Sequence, residues 1–286
     1  MCGDLDEVSG LANAATGSVF AHNDEFGIVY EIYVETGEIE RAFALGETTE
    51  RGDFEGVAVV DDRIYLLTSD GKIYESAIGG HGERVAFHVY DTGLGQYCEF
   101  EGLAVDEGEF LLLCKYSAPS LPDHAINIFR WRLGQMPYPI AVASDDQTGD
   151  KEPRENNAAP VPSLTIPLTQ LPSAAGVGIE KKDTDKARDR KKNSRKFLPS
   201  AIDVAANGNL LVLSARSHQI IEVTSQGDII RASQLSRTTH PQAEGLTVLA
   251  DGRFIIADEG RRTGRGRLTI YAQWPGEPIL IPTVIQ

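Results

Sequence analysis

The sequence has no run of 18 or more apolar residues, so no transmembrane helix is expected. Its first ten residues, MCGDLDEVSG, are polar and acidic and predict no secretory signal. Cys2 fits the acylation site of a lipoprotein whose signal has been removed, although we favour an ordinary flexible terminus. The expectation is a soluble chain, with peripheral or lipid-anchored membrane association as the alternative.

Cysteine and basic residues are both scarce. Three cysteines among 286 residues do not make a disulfide framework, and no C-x-x-C pair indicates a zinc site. Lys and Arg number 27 against 42 Asp and Glu, a formal net charge of −15. A nucleic-acid binder needs a basic surface to displace counterions, so nucleic acid is not expected as a partner. The acidic balance is compatible with binding a hard cation.

Several motifs of common enzymes are missing. The sequence has neither a P-loop nor a Rossmann fingerprint, so no nucleotide cofactor is expected. It also lacks a G-x-S-x-G motif, which disfavours covalent serine-hydrolase chemistry. Hydrophobic residues make up 41% of the chain, which is enough to build a folded core.

Three short segments share a glutamate, a glycine and an apolar run: DFEGVAV, CEFEGLAV and QAEGLTV. Their glutamates are Glu55, Glu101 and Glu244, and 46 positions separate the first two. Two further segments, VSGLANA and PSAIDVA, place Ser9 and Ser200 where the others have glutamate. Ser9 lies 46 positions before Glu55, and Ser200 lies 44 before Glu244, so the chain is an internal repeat.

Each repeat continues with a turn rich in Gly, Asn and Asp and with three more apolar runs, a pattern typical of strands. Four antiparallel strands repeated about every 46 residues indicate a β-propeller blade. The sequence therefore predicts an all-β, five-bladed β-propeller, a monomeric single domain over residues 1–286. The predicted blades are about 8–47, 53–92, 98–171, 198–237 and 242–285. Polar segments at about 134–162 and 172–196 are predicted to be flexible insertions.

The first strand of each propeller blade lines the central channel, so the three glutamates should meet at one mouth of it. Pairing each hairpin places Glu55 opposite Thr68 and Glu101 opposite Cys114. In the same way it predicts the remaining pairs Glu244 with Asp258, Ser9 with His22, and Ser200 with Ser214. Each pairing is open to a slip of one residue.

Converging carboxylates raise one another's pKa and oppose folding unless a positive species lies among them. Lys115 and Arg216 are internal candidates, and a bound Ca²⁺ is a third because it takes six to eight oxygen ligands. The predicted metal ligands are Glu55, Glu101, Glu244, Asn23 and Asp24. A structural alternative stays open, in which the glutamates accept backbone hydrogen bonds and join neighbouring blades. The glycines that follow, Gly56, Gly102 and Gly245, are expected where strands crowd around the axis.

The segments GDFEGVAV, CEFEGLAV, PSAIDV, HPQAEGLTV and IIADEG, together with AHNDEFGIVYEI near the start, resemble the SdiA-regulated (YjiK-like) family. The resemblance runs through all five repeats and omits about 134–162 and 172–196. It implies a five-bladed propeller with a metal, calcium by preference, near the channel. It also implies a location in the cell envelope or periplasm, since members are often exported or anchored, and it implies no established activity.

Three functions follow as hypotheses. The first is a binding propeller that holds Ca²⁺ and a small anionic or sugar-like ligand, contacted by Lys115, Arg216, Asp70 and Asp258. The second is a metal-dependent phosphoesterase or lactonase, in which His22, Asp24 or Glu259 acts as the base. The third is a protein-interaction scaffold that uses the opposite face or an insertion.

Overall fold

The five repeats form five small antiparallel sheets arranged as a β-propeller. The structure, a computed structural model, describes residues 7–14, 17–137, 159–171, 197–260 and 266–272, and the backbone of 278–284. The predicted fold class is thereby confirmed. The predicted insertions lie largely outside the described residues, which omit 138–158 and 172–196.

Each blade is a meander in which every strand pairs with the next. Blade 1 contains β1 (Val8–Asn13), β2 (Ser18–Asn23), β3 (Ile28–Tyr33) and β4 (Ile39–Leu45). Blade 2 contains β5 (Phe54–Val60), β6 (Arg63–Thr68), β7 (Lys72–Ala77) and β9 (Phe87–Asp91). Blade 3 contains β10 (Cys98–Asp106), β11 (Glu109–Ser117), β12 (Ala125–Trp131) and β13 (Leu164–Pro167), followed by the 3₁₀ helix η1 (Leu168–Gln170).

The last two blades repeat the same order. Blade 4 contains β14 (Ala201–Val204), β15 (Leu210–Ser214), β16 (Gln219–Val223) and β17 (Ile229–Gln234). Blade 5 contains β18 (Ala243–Val248), β19 (Phe254–Asp258), β20 (Arg267–Tyr271) and β21 (Pro278–Val284). All four strands of each blade thus come from one continuous stretch of chain.

The segment RVAFHVY, the last apolar run of the second repeat, is divided between two blades. Its first part, β8 (Arg84–Val85), pairs in parallel with β4 at the outer edge of blade 1. Its second part, β9, pairs with β7 and completes blade 2. The division joins the outer edges of blades 1 and 2, and β8 covers an edge that would otherwise have unpaired backbone groups.

The first strands close into a ring around the axis. Contacts run from β1 to β5, to β10, to β14, to β18 and back to β1. Five hydrophobic clusters fill the spaces between neighbouring blades, one for each pair of neighbours. Because each blade buries both faces against neighbours, its inner strands are nearly continuous apolar runs. This explains why the inner strands do not show the alternation of a half-exposed sheet.

A ring of five apolar residues lines the channel. The ring contains one equivalent residue from each inner strand, none more than 5% exposed: Leu11, Val57, Leu103, Ile202 and Leu246. Three of them, Leu11, Val57 and Leu103, line both a cavity at the strand starts and a separate cavity at the strand ends. The apolar ring therefore divides the channel into two mouths with different chemistry.

Candidate functional site

Four of the five inner strands have a β-bulge near their start, and the bulge contains the repeated polar residue. In blade 2, Phe54 pairs with Thr68 and Gly56 pairs with Leu67, so Glu55 lies between two ladder positions. The same interruption contains Glu101 in blade 3 and Glu244 in blade 5. A bulge adds one unpaired residue and redirects its side chain.

The bulges shift the strand pairing from the simple hairpins expected from the sequence. Phe100 rather than Glu101 lies opposite Cys114, and Ala243 rather than Glu244 lies opposite Asp258. In blade 1, Gly10 lies opposite His22, which was expected to face Ser9. A sequence pattern of period two cannot show the extra residue, because the apolar run continues past it.

Glu55, Glu101 and Glu244 converge at the start of the channel, where Glu55 and Glu101 line one cavity with Ser9. We call the group formed by these three glutamates, Ser9 and Lys115 the glutamate mouth. The Ser9 hydroxyl donates to Glu55 Oε2 at 3.3 Å, which links blade 1 to blade 2. Ser200 makes a similar link at the corresponding place in blade 4, because its hydroxyl donates to the Ala243 carbonyl of blade 5 at 2.9 Å.

All three carboxyls of the glutamate mouth bind protons more tightly than free glutamate does. Burial, and then the charge of Glu101, raise the pKa of Glu55 to about 9. The same two causes, in the same order, raise the pKa of Glu244 to about 8. Burial raises the pKa of Glu101 to about 7, although the Lys115 ammonium acts in the opposite direction. Three ionised carboxylates in this space are therefore unfavourable near neutral pH.

Lys115 is the cation whose charge acts on all three glutamates. Its ammonium forms an ion pair with Glu101. Burial acts to lower the pKa of Lys115, but Glu101 and then Glu55 raise it, and the net direction is upward. One ammonium offsets one carboxylate, so the mouth remains acidic. Arg216, the other cation expected here, lies exposed on the loop after β15.

A disulfide between Cys98 and Cys114 joins β10 to β11 beside the glutamate mouth. The sequence did not reveal it, because three cysteines that are not closely spaced show no pairing pattern. Cys114 directly precedes Lys115, and Cys98 lies three positions before Glu101, so the disulfide holds together the two strands that carry this ion pair. Closing a loop of about 15 residues stabilises a protein by about 3 kcal/mol in the chain-entropy account.

Of the other predicted metal ligands, Asn23 is the last residue of β2 and Asp24 begins the turn that follows it. The Asn23 side-chain oxygen accepts from the backbone N–H groups of Glu25 and Phe26, both at 3.0 Å. Burial and then the charge of Glu7 raise the pKa of Asp24 to about 6. The Asp24 carbonyl accepts from Phe54 N–H at 2.7 Å, a backbone link between blades 1 and 2.

Two of the predicted catalytic and ligand-binding residues, His22 and Asp70, differ in burial and in hydrogen-bond partners. His22 is fully buried, its Nδ1 lies 3.1 Å from the Asn23 carbonyl oxygen, and burial lowers its pKa to about 4. Asp70 pairs with Lys72 and accepts from the Thr68 hydroxyl at 2.5 Å.

Asp258 and Glu259 lie together at the end of β19. Asp258 Oδ2 is 2.7 Å from His240 Nδ1, and the other ring nitrogen of His240 is 2.5 Å from the Tyr271 hydroxyl. Glu259 accepts from the Gln242 side chain. Both carboxylates raise the pKa of Glu244, so they belong to the electrostatic surroundings of the glutamate mouth.

Sequence reasoning missed Asp53, two positions before Glu55. Its carboxylate accepts from the Ser69 hydroxyl at 2.6 Å and raises the pKa of both Glu55 and Glu101. The corresponding positions of blades 1 and 3 are Glu7 and Glu99, so an acidic residue at this position recurs in the repeat. Within the described ranges, no three His, Cys, Asp or Glu side chains form a ready-made metal site. The described part of the chain also contains no helix long and apolar enough to cross a membrane.

The comparison with solved structures shows a likeness of fold at low sequence identity. The PQQ-bound aldose sugar dehydrogenase from Streptomyces coelicolor aligns over 93% of this chain and 94% of its own, with 12% identity and a TM-score of 0.52. The glutaminyl cyclase from Myxococcus xanthus aligns over 93% and 91%, with 15% identity and a TM-score of 0.47. No curated protein matches the chain.

One family profile matches part of the sequence. The profile described as SdiA-regulated matches residues 166–262, which extend from β13 through blade 4 to the end of β19. The matched region contains Ser200, Glu244 and the PSAIDV, HPQAEGLTV and IIADEG segments on which the resemblance was based. The resemblance to the SdiA-regulated family is thus confirmed over residues 166–262 of this five-bladed propeller.

Proposed function

We propose that the glutamate mouth binds a divalent cation, Ca²⁺ by preference, and that binding displaces protons from its carboxyl groups. The observation that carries this proposal is the convergence of Glu55, Glu101 and Glu244, with pKa values raised to about 9, 7 and 8. A cation would stabilise the ionised carboxylates, whereas Lys115 offsets a single charge. Oxygen donors of this kind suit Ca²⁺ better than softer metals.

Cation binding requires the three carboxylates to move together, because the described residues form no ready-made metal site. Glutamate side chains have the rotamer freedom to rearrange around a cation. Lys115 would then remain available for a small anionic or sugar-like ligand near the cation.

The proposal is tested by thermal unfolding with and without CaCl₂ at pH 6 and pH 8. We expect Ca²⁺ to raise the melting temperature, more at pH 8 than at pH 6, because fewer protons compete. A double Glu55→Gln, Glu101→Gln variant should lose this gain. The control Glu38→Gln, Glu40→Gln changes two exposed glutamates of blade 1 and should keep it. An unchanged melting temperature at pH 8, with no metal in elemental analysis, would exclude the cation site.

A metal-dependent hydrolase is the second candidate, and one observation favours a particular base for it. The pKa of Asp24 is raised to about 6 by burial and by Glu7, which suits a general base near neutral pH. His22 is a poorer candidate because it is fully buried. A screen of phosphoester and lactone substrates tests this function, and activity that survives Asp24→Asn would exclude Asp24 as the base.

The disulfide supports an exported location, as the family resemblance implies, since such bonds persist in oxidising compartments. Alkylation of protein isolated without reductant should then label at most one of the three cysteines per chain. Labelling of all three would contradict an exported location.

A further inference from the structure

The opposite mouth of the channel contains a second cavity, of about 240 Å³, at the ends of the inner strands. The apolar ring separates it from the glutamate mouth. Ala58, Val59, Ala104 and Val105 line it on blades 2 and 3. Asn13, Asp203 and Thr247 line it on blades 1, 4 and 5, which are neighbours around the ring. The lining is therefore aliphatic on blades 2 and 3, and on blades 1, 4 and 5 it combines these polar residues with Leu11, Ala12 and Val248.

Asp203 departs from the repeat at this mouth. The residue that follows the apolar ring is Ala12, Ala58 and Ala104 in the first three blades, so an alanine satisfies the packing there. In blade 4 this position is a carboxylate. Burial raises the pKa of Asp203 to about 6, so placing a charge here carries a cost that the alanines avoid.

The hydrogen bonds of Asp203 leave one acceptor position for a ligand. Asp203 Oδ2 accepts from Val248 N–H at 2.7 Å and from the Thr247 hydroxyl at 3.0 Å, and Oδ1 accepts from Val204 N–H at 2.7 Å. A carboxylate has about four acceptor sites, and these contacts occupy three. Among the described residues that line the cavity, none is a lysine or arginine that could neutralise Asp203.

We propose that this cavity binds a small aliphatic amine, with its ammonium on Asp203 and Asn13 and its hydrocarbon against Val59 and Val105. A single carboxylate is a poor site for Ca²⁺, which needs six to eight oxygen ligands. An anion is disfavoured by the carboxylate itself. The volume is below the roughly 300–1,000 Å³ of pockets for drug-sized ligands, so the ligand is small. This proposal is independent of cation binding at the glutamate mouth.

Pentylamine tests the proposal, with 1-pentanol and pentanoate as neutral and anionic probes of similar length. Calorimetry at pH 8 should show saturable pentylamine binding and much weaker binding of the other two. Asp203→Asn should weaken pentylamine binding by about tenfold or more, because a charge-assisted hydrogen bond is lost. Asp228→Asn, an exposed change in a turn of the same blade, should leave binding unchanged.

Two further variants separate the outcomes. Val105→Phe should fill the aliphatic side of the cavity and block pentylamine while it keeps the carboxylate. The Glu55→Gln, Glu101→Gln variant should bind pentylamine like the wild type. Loss of binding in that variant would place the amine at the glutamate mouth and overturn the proposal. Equal binding of pentylamine by wild type and by folded Asp203→Asn would overturn it as well, leaving Asp203 as a link between blades 4 and 5.

Discussion

At the scale of single residues, the main feature is the shared electrostatics of Glu55, Glu101 and Glu244. Each glutamate alone would be an ordinary partly or fully buried carboxyl. Burial raises the pKa of all three, the charge of Glu101 raises the pKa of Glu55 and of Glu244 further, and Lys115 offsets part of these shifts. Ser9 and Ser200 at equivalent positions bond to the next blade, which shows that the position also serves to join blades. The proposed cation binding and the joining of blades would therefore use the same place in the repeat.

The raised pKa of Glu55 predicts that stability falls as pH rises. Between about pH 4.5 and 9 the folded state keeps a proton that the unfolded state has lost, so unfolding becomes easier with increasing pH. Glu55→Gln should flatten this dependence and raise the melting temperature at pH 9 by about 2 °C or more, the shift for about 1 kcal/mol. Thermal unfolding in EDTA from pH 5 to 9 measures it, with Glu38→Gln as control. A variant curve parallel to that of the wild type would contradict the assignment.

At the scale of elements, the bulge and the glycine after it explain the repeated Glu-Gly pair. The bulge redirects the glutamate, and the glycine lets neighbouring inner strands approach. A Cβ on Gly56 would lie 2.6 Å from the backbone nitrogen of Leu103 in the next blade. Gly245 is similarly confined, since a Cβ there would lie 2.9 Å from the Ala257 Cβ. Blade 4 accepts Ala201 at the corresponding place, so the requirement is for a small residue.

Gly56→Ala should therefore destabilise the protein, because the clash is with backbone of another blade that cannot move alone. We expect a loss of about 1–3 kcal/mol in the free energy of unfolding. The matched change Gly80→Ala should cost much less, since a Cβ there meets only the end of the Glu83 side chain, at 3.4 Å. Denaturant titration of both variants gives the comparison. Equal losses would show that glycine flexibility, rather than crowding, decides the effect.

At the scale of the whole molecule, five wedge-shaped blades enclose one channel with two unlike mouths. The apolar ring of Leu11, Val57, Leu103, Ile202 and Leu246 separates an acidic mouth from a small, partly aliphatic cavity. The formal net charge of −15 adds a general repulsion to the local one at the glutamate mouth. Both repulsions oppose folding in the absence of cations.

Monovalent salt should therefore stabilise the cation-free protein. Raising NaCl from about 10 mM to about 0.15 M shortens the screening length to about 8 Å and weakens repulsion between exposed charges. The melting temperature at pH 8 in EDTA should rise over this range, and KCl should act equally. Glu55→Gln, Glu101→Gln should show a smaller rise. A melting temperature that falls with added NaCl would mean that attractive ion pairs outweigh the repulsion.

The number of blades and the strand order follow from the sequence alone, because the repeat of apolar runs and turns is local and each blade is continuous in the chain. It also identified Glu55, Glu101 and Glu244 as one equivalent set, since inner strands must meet at the axis. The resemblance to the SdiA-regulated family also rests on short, local segments of the sequence. Profile evidence confirms it over residues 166–262.

Which charged side chains lie close together, and which cysteines form a disulfide, depends on the tertiary structure and cannot be read from the sequence. The bulges shift the strand register by one residue. The sequence does not show this shift, because the inserted residue leaves the apolar pattern intact. The Cys98–Cys114 disulfide, the association of Asp53 with the glutamates and the cavity around Asp203 all depend on distances between strands. Contacts between blades form when the ring closes, and the spacing of the repeats along the chain does not predict them. The repeat thus specifies the blade, and the closed ring specifies the chemistry of each mouth.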